Sequence, residues 1–235
     1  MGDLYAGIEA RLEQVPEAAA RAAREHIQLL RQAGIASVEG LATAVKDGAR
    51  ESIQLAACDL LGRLGDCYRR SAESVADLFA RAEKPELIWE SAKALALMNA
   101  GHMAEALHQH LDGASSARGA AAAWTLGRLG HASSVQPLRA VLRNTSADGD
   151  VRAHAAEALG ALRSHDALMD LIAALEDPSP DVKYWAAYAL GEIGDPAALP
   201  ALDRLAHSDH ALVGSAGSVA AEASSAAELI RTGRD

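Results

Sequence analysis

A segment of 13 residues recurs along the chain at intervals of 31 to 34 residues, and this repetition limits the fold more than any other feature. The residues from Asp150 read DVRAHAAEALGAL and those from Asp181 read DVKYWAAYALGEI. Related segments begin at Ser52, Glu86 and Ala117, and each of the five carries a leucine followed by glycine or alanine. These leucines are Leu61, Leu95, Leu126, Leu159 and Leu190. A repeat of this length is typical of a helical solenoid, in which each helix pair buries its apolar face against the next.

Each repeat is predicted to contain two helices, which we call helix A and helix B. Ser179 and Pro180 favour the start of a helix A, as a capping residue and a proline at the first helical position. Glycines such as Gly130 and Gly194 favour helix ends, and Asp195 followed by proline opens a helix B. The apolar positions of the B helices are Leu107 and Leu111, Val135, Leu138 and Leu142, Leu168, Leu171 and Leu175, and Leu199 and Leu202.

The sequence therefore predicts an all-α fold, an α-α superhelix formed by one solenoid domain over residues 1–235. Residues 1–50 are expected to form an N-terminal cap and a degenerate repeat, with helices at Asp3–Gln14, Glu17–Gln32 and Ser37–Lys46. Five repeats follow over residues 51–209. Residues 210–235 form a C-terminal cap, in which the run from Val219 to Ile230 is predicted to be one helix.

Alanine supplies 55 of the 235 residues, whereas Phe, Trp and Tyr together number eight. Alanine favours helices, and its small side chain lets neighbouring helices approach closely. We therefore expect the alanines of the A helices to form the contact surface between stacked repeats. Cys58 falls at one of these small-residue positions and is predicted to be a buried thiol, and its distance along the chain from Cys67 is unfavourable for a disulfide.

The formal charge of the chain is −10, and acidic residues exceed basic residues in both halves. A phosphate backbone is bound through positive potential, so this balance argues against a nucleic-acid partner. Residues 1–10 lack the apolar run of a signal peptide, and no stretch approaches the length of a membrane span. The expected location is cytoplasmic, with no membrane partner.

The string VKYWAAYALGEIGDPAALPAL, from Val182 to Leu202, resembles a HEAT repeat of the short type found in phycobilisome lyase subunits. The resemblance covers Ser52 to about Ser208. It implies a right-handed curved array with the A helices on the convex side and the B helices on the concave side. It also implies a non-enzymatic scaffold or adaptor that holds another protein in the concave groove, although a fold by itself does not define an activity.

On that assignment, the outward positions of the B helices face the partner. The candidate partner-binding residues are Glu105, His108, Gln109, Gln136, Arg139, Asp170, Asp203 and Arg204. A second candidate surface is an aromatic patch, which consists of Trp89, Trp124, Tyr184, Trp185 and Tyr188. Tyr and Trp are favoured in binding sites because they bury much area with few rotatable bonds. The alternative interpretation of the first surface is an ordinary solvated helix face without a partner. The alternative for the aromatic residues is that they pack as wedges between successive repeats.

No reactive constellation is recognisable, so we expect neither catalytic residues nor a cofactor. His108 and His110 point apart on a helix, and the segment His207-Ser-Asp-His210 is more typical of a helix end than of a metal site. Deoxyhypusine hydroxylase, a helical-repeat enzyme, binds iron through His-Glu pairs, and this sequence contains no His-Glu dipeptide.

Two other functions remain as alternatives. The chain could be a subunit similar to the phycobilin lyases, which hold a chromophore and its acceptor protein, but no motif identifies a chromophore site. It also resembles in length the DNA-repair glycosylases built from similar repeats, but those need a basic groove that an acidic chain lacks. The sequence leaves open whether the chain is a monomer or a paired subunit, and which protein it binds.

Overall fold

The computed structural model describes residues 4–46, 50–64, 69–113 and 115–233. The α-helices in these ranges are α1 (Leu4–Leu12), α2 (Glu17–Gln32), α3 (Val38–Lys46), α4 (Glu51–Leu64), α5 (Arg69–Arg81), α6 (Pro85–Leu97), α7 (Ala104–His108), α8 (Ser116–Leu129), α9 (Val135–Arg143), α10 (Gly149–Ala161), α11 (Leu168–Ala174), α12 (Pro180–Ile193), α13 (Leu199–Ser208) and α14 (Val219–Thr232). Short 3-10 turns at Gly101–Met103, Ala132–Ser134, His165–Ala167 and Pro196–Ala198 precede α7, α9, α11 and α13. Apart from one small hairpin, the fold is all-α, as predicted.

The chain divides into two compact units. Unit 1 (Met1–Met103) contains α1 to α6, and unit 2 (Ala104–Asp235) contains α7 to α14. In unit 2 the A helices are α8, α10 and α12, with α14 as the closing helix, and the B helices are α7, α9, α11 and α13. The single domain over residues 1–235 stays a prediction.

In unit 1 the N-terminal helices pack against the first repeat. α2 contacts α4, and α3 contacts both α4 and α5. The predicted bounds of α2 are confirmed, whereas α1 ends at Leu12 and α3 begins at Val38. Asp59 of α4 joins this helix to α2, because its Oδ2 lies 2.8 Å from His26 Nδ1. Its Oδ1 accepts from Arg63 Nε of the same helix at 2.8 Å.

The repeated leucines form the centre of each unit's core. Each is fully buried: Leu61 and Leu95 in unit 1, and Leu126, Leu159 and Leu190 in unit 2. Cys58 is a buried free thiol, as predicted, and burial raises its pKa far above the ordinary range. The other cysteine, Cys67, lies outside the described residues.

The A helices of unit 2 pack at backbone-to-backbone distance. A methyl group placed on Gly127 would lie 2.7 Å from the Ala158 Cα atom, and one placed on Gly160 would lie 2.7 Å from the Ala189 Cα atom. The contact recurs at 3.1 Å in two further pairs, Gly62 with Ala94 in unit 1 and Gly191 with Ala226 in unit 2. The small residues after the repeated leucines are therefore required by the close approach of the A helices.

The B helices of unit 2 contact one another less extensively than the A helices do. α9 and α11 are joined by long side chains, since Arg139 Nε donates to Asp170 Oδ2 at 2.6 Å. The family resemblance implies that the B helices line the concave side, and this assignment stays a prediction.

The helix ends follow the predicted chemistry with one exception. Gly130 and Gly194 end α8 and α12 in the left-handed conformation, with φ angles of 73° and 78°. Pro180 lies in the first turn of α12, but the prediction that the Ser179 side chain caps this helix is wrong, because it makes no capping hydrogen bond. The turn is held by Asp177 instead, whose Oδ1 accepts from the Ser179 N–H at 2.8 Å.

The C-terminal end of unit 2 contains the hairpin. Strands β1 (Leu212–Val213) and β2 (Gly217–Ser218) pair antiparallel, and Gly214 and Gly217 have positive φ angles of 46° and 131°. The closing helix predicted from Val219 is confirmed as α14, and Ser218 caps it by accepting from the Ala221 N–H at 3.2 Å.

Candidate functional site

Three aromatic residues on α12 form one cluster on the A-helix face of unit 2, which is the side formed by α8, α10, α12 and α14. The ring centroids of Tyr184 and Trp185 are 5.4 Å apart and those of Trp185 and Tyr188 are 5.5 Å apart, in both cases edge to face. Tyr184 is buried and donates from its hydroxyl to the Ala216 carbonyl oxygen at 3.3 Å, whereas Trp185 and Tyr188 are half-buried. This α12 cluster (Tyr184, Trp185 and Tyr188) therefore presents parts of two rings to solvent.

The other two aromatic residues predicted for the patch lie elsewhere. Trp124 is half-buried on α8, two A helices away from α12, and the Arg128 guanidinium carbon lies 5.9 Å from its ring centroid. Trp89 lies on α6 and belongs to unit 1. The structure thus brings together three of the five predicted residues.

Carboxylates lie on the A helices at either side of the α12 cluster. Glu157 of α10 is half-buried, and burial raises its pKa, although the positive charges of His154 and Arg128 act in the opposite direction. Glu222 of α14 is half-buried too. Burial raises its pKa, and the neighbouring Tyr184 hydroxyl acts in the opposite direction.

Sequence reasoning missed both glutamates as site residues. A signal was present for Glu157, because it occupies the repeat position that holds Trp124 in α8 and Tyr188 in α12. A position filled by two aromatic residues and one acid in successive repeats points to one shared face of the A helices.

The candidate partner-binding residues of the B helices fall into two groups. Four of them contact a neighbouring helix or its preceding turn, through His108 Nε2 to Ser134 Oγ at 3.1 Å, Arg139 Nε to Asp170 Oδ2 at 2.6 Å, and Arg231 Nη2 to Asp203 Oδ1 at 2.6 Å. The other four are exposed: Glu105, Gln109, Gln136 and Arg204. Half of this surface is therefore engaged in contacts between successive repeats.

Two open clefts of unit 2 include residues of the second group. One of about 440 Å³ lies between the turns that follow α8 and α10, and Gln136 lines it. Another of about 600 Å³ lies along α13, where Asp203 and Arg204 line it. Within the described ranges, no group of three or more His, Cys, Asp or Glu side chains could hold a metal ion. None of the helices described has the length and hydrophobicity that a membrane span requires.

A comparison with protein families agrees with this architecture. The sequence model of HEAT repeats matches residues 104–168 and 143–221, which together span half of the chain. The chain belongs to the HEAT-repeat family. No protein of curated function matches this HEAT-repeat protein.

Solved structures similar to this HEAT-repeat protein are helical repeats as well. A designed armadillo repeat protein in complex with the peptide (KR)4 has a TM-score of 0.54 at 19% identity, covering 83% of this chain and 100% of its own. YibA of Escherichia coli has a TM-score of 0.51 at 15% identity, covering 99% of this chain and 98% of its own. The complex of CpcE and CpcF of the Nostoc phycocyanin lyase has a TM-score of 0.47 at 18% identity, covering 95% and 93%. The likeness to the designed armadillo repeat protein and to YibA shows a helical-repeat fold, and a scaffold of this kind is typical of proteins that bind other proteins.

Proposed function

We propose that this HEAT-repeat protein is a non-catalytic scaffold or adaptor that binds a protein partner through the A-helix face of unit 2. The observation that carries the proposal is the α12 cluster, in which Tyr184 packs edge to face against Trp185, and Trp185 packs in the same way against Tyr188. Trp185 and Tyr188 are half-buried, and their rings pack against each other. Rigid aromatic side chains lose little entropy on binding and are enriched among the residues that dominate binding energy.

The B-helix face is the weaker candidate for the partner surface. Arg139 and Asp170 pair with each other, and Asp203 pairs with Arg231 of α14, so a partner would have to compete with contacts inside the protein. Of the four exposed candidates, Glu105, Gln109 and Gln136 do not belong to the residue types enriched in binding hot spots, whereas Arg204 does. The designed armadillo protein with its bound peptide supports a binding role for a stack of helix pairs.

The test compares three forms of the full chain as baits for partner capture from a lysate of the source organism. The baits are the wild type, the double variant Trp185→Ser with Tyr188→Ser, and Arg204→Glu as the B-face variant. Thermal melts establish that each bait is folded, and quantitative mass spectrometry compares the captured proteins. Partners captured by the wild type are expected to be retained by Arg204→Glu and lost by the aromatic double variant.

The opposite pattern, with loss only for Arg204→Glu, would move the partner to the B-helix face. Equal recovery by all three baits would reject both surfaces. If the double variant melts at a lower temperature than the wild type, the single variant Tyr188→Ser replaces it, because within the α12 cluster Trp185 makes two ring contacts and Tyr188 makes one.

A further inference from the structure

α10 and α12 lie side by side in a register that the glycine contacts define. At their N-terminal ends, a methyl group on Gly149 would lie 3.3 Å from Ser179 Oγ. Further along, a methyl group on Gly160 would lie 2.7 Å from the Ala189 Cα atom. Both contacts join residues about 30 positions apart, so the two helices run in the same direction with little stagger.

This register places Glu157 beside the α12 cluster. Glu157 lies three residues before Gly160, and it is therefore level with Ala186, three residues before the contacting alanine of α12. Trp185 and Tyr188 bracket that level along α12. Ala186 is buried, whereas Glu157, Trp185 and Tyr188 are half-buried, so the carboxylate and the two rings share the solvent side of the helix contact.

The Glu157 carboxylate lacks a direct partner within the part of the chain that the structure describes. It has neither a hydrogen bond nor an ion pair there, and the Arg128 guanidinium lies near the Trp124 ring. Burial raises the pKa of Glu157 more than the nearby positive charges of His154 and Arg128 lower it, so these two groups do not fully replace the water that the carboxylate has lost. A cation bound at this point would restore the missing interaction.

A second acid lies at the other side of the rings. Glu222 of α14 is half-buried against Tyr184, so carboxylates lie on both helices next to α12. Unit 2 as a whole holds ten basic and 17 acidic residues, a formal charge of −7. Cations are attracted to the faces of Trp and Tyr rings, and more strongly where water is partly excluded. Polyanions such as nucleic acids would be repelled by the same charges.

We propose that the A-helix face of unit 2 binds a cationic segment of its protein partner, with an arginine or lysine side chain seated between Glu157 and the rings of Trp185 and Tyr188. This inference rests on the proposed function and adds the chemistry of the partner. Arginine suits the site best, because its planar guanidinium can stack on a ring while it donates to a carboxylate.

The test measures the binding of a labelled synthetic peptide, in which arginine alternates with glycine, to the full chain by fluorescence anisotropy. A second peptide carries glutamine in place of every arginine. The variants are Glu157→Gln and Glu176→Gln, which remove the same charge from the same unit. Glu176 is the matched control because it is exposed and lines the cleft along α13.

The arginine peptide is expected to bind the wild type, with an affinity that falls as salt is added. The glutamine peptide is expected not to bind. Glu157→Gln should weaken binding about tenfold, as expected when one charge-assisted hydrogen bond is lost, and Glu176→Gln should leave it unchanged. The proposal is overturned by absence of binding, by equal binding of the two peptides, or by equal effects of the two variants.

The two proposals can fail separately. A Glu157→Gln bait that keeps the partners lost by the aromatic double variant would reject the cation seat and leave the aromatic docking surface in place. If the aromatic double variant keeps every partner as well, the proposed function itself is rejected.

Discussion

Gly160 of α10 lies so close to Ala189 of α12 that a methyl group on residue 160 would stand 2.7 Å from the Ala189 Cα atom. A methyl group on residue 127 of α8 would stand at the same distance from the Ala158 Cα atom of α10. Carbon atoms do not approach this closely without strain, so any side chain at these glycines must push two backbones apart.

We therefore expect Gly160→Ala to destabilise the protein by roughly 1–3 kcal/mol, the usual cost of overpacking a core. Helix propensity alone would favour alanine over glycine by about 1 kcal/mol, so a loss of stability identifies the helix contact as its cause. Chemical denaturation measures the difference. Gly113→Ala is the control, because a methyl group there would meet its nearest atom, the His110 carbonyl oxygen, at an ordinary 3.4 Å. A Gly160→Ala protein as stable as the wild type would contradict the close contact.

The Arg152–Asp177 pair is expected to be among the most important polar contacts in unit 2. Both side chains are 6% exposed, and Arg152 donates from Nε to Oδ2 at 3.2 Å and from Nη2 to Oδ1 at 2.9 Å. Asp177→Asn should lower the free energy of unfolding by about 3–5 kcal/mol, because it leaves a buried guanidinium without its counter-ion. Urea denaturation provides the measurement.

The pair Lys183–Asp209 occupies the corresponding place in the next repeat and is more exposed, at 17% and 18%. Asp209→Asn should therefore cost less than Asp177→Asn, since water screens the unpaired charge that remains. An equal or larger loss at Asp209 would show that burial does not determine the strength of these pairs.

His26 should make the stability of unit 1 depend on pH. Its hydrogen bond to Asp59 raises its pKa above the ordinary value of 6.5, and burial acts in the opposite direction. Protonated His26 is therefore favoured in the folded state, so its contribution is complete below pH 6.5 and is lost as the pH rises through the raised pKa. Thermal melts across this range should show a decrease for the wild type that is absent in His26→Gln. Identical pH profiles for the two proteins would reject the assignment.

Glu157→Gln should stabilise the folded protein at neutral pH. Burial raises the pKa of Glu157 above its ordinary value, so the charge disfavours folding above the raised pKa, and this effect disappears below the ordinary one. The melting temperature of the variant should exceed that of the wild type at pH 7.5 and match it in acid. Glu176→Gln, at an exposed position, should change neither value. A gain in stability together with a loss of peptide binding is typical of a residue retained for recognition.

Much of the fold could be predicted because its signals are local. The bounds of α2, the start of the closing helix at Val219 and the glycine ends of α8 and α12 all follow from the nearest few residues. The α12 cluster was predictable for the same reason, since residues 184, 185 and 188 lie within about one turn of each other.

Contacts between repeats were harder to predict, because they join residues about 30 positions apart. Arg139 and Asp170 were both predicted as candidate partner-binding residues, and nothing in the sequence indicated that they pair with each other across successive repeats. An Arg139→Glu variant would place two carboxylates together, so it would test the stability of the stack as well as binding. Arg204→Glu avoids this difficulty, because Arg204 is exposed.

The glycine-to-alanine contact between successive A helices has a consequence for the length of the protein. The same small-residue surface appears on α8, α10 and α12, each of which presents a glycine to the next helix, and α10 and α12 also present an alanine to the previous one. A duplicated repeat inserted between α10 and α12 would therefore meet compatible neighbours on both sides. The A-helix face can therefore lengthen by whole repeats while the glycine-to-alanine contacts between the A helices stay unchanged. Each added repeat would contribute one more residue at the position that Glu157 occupies in α10.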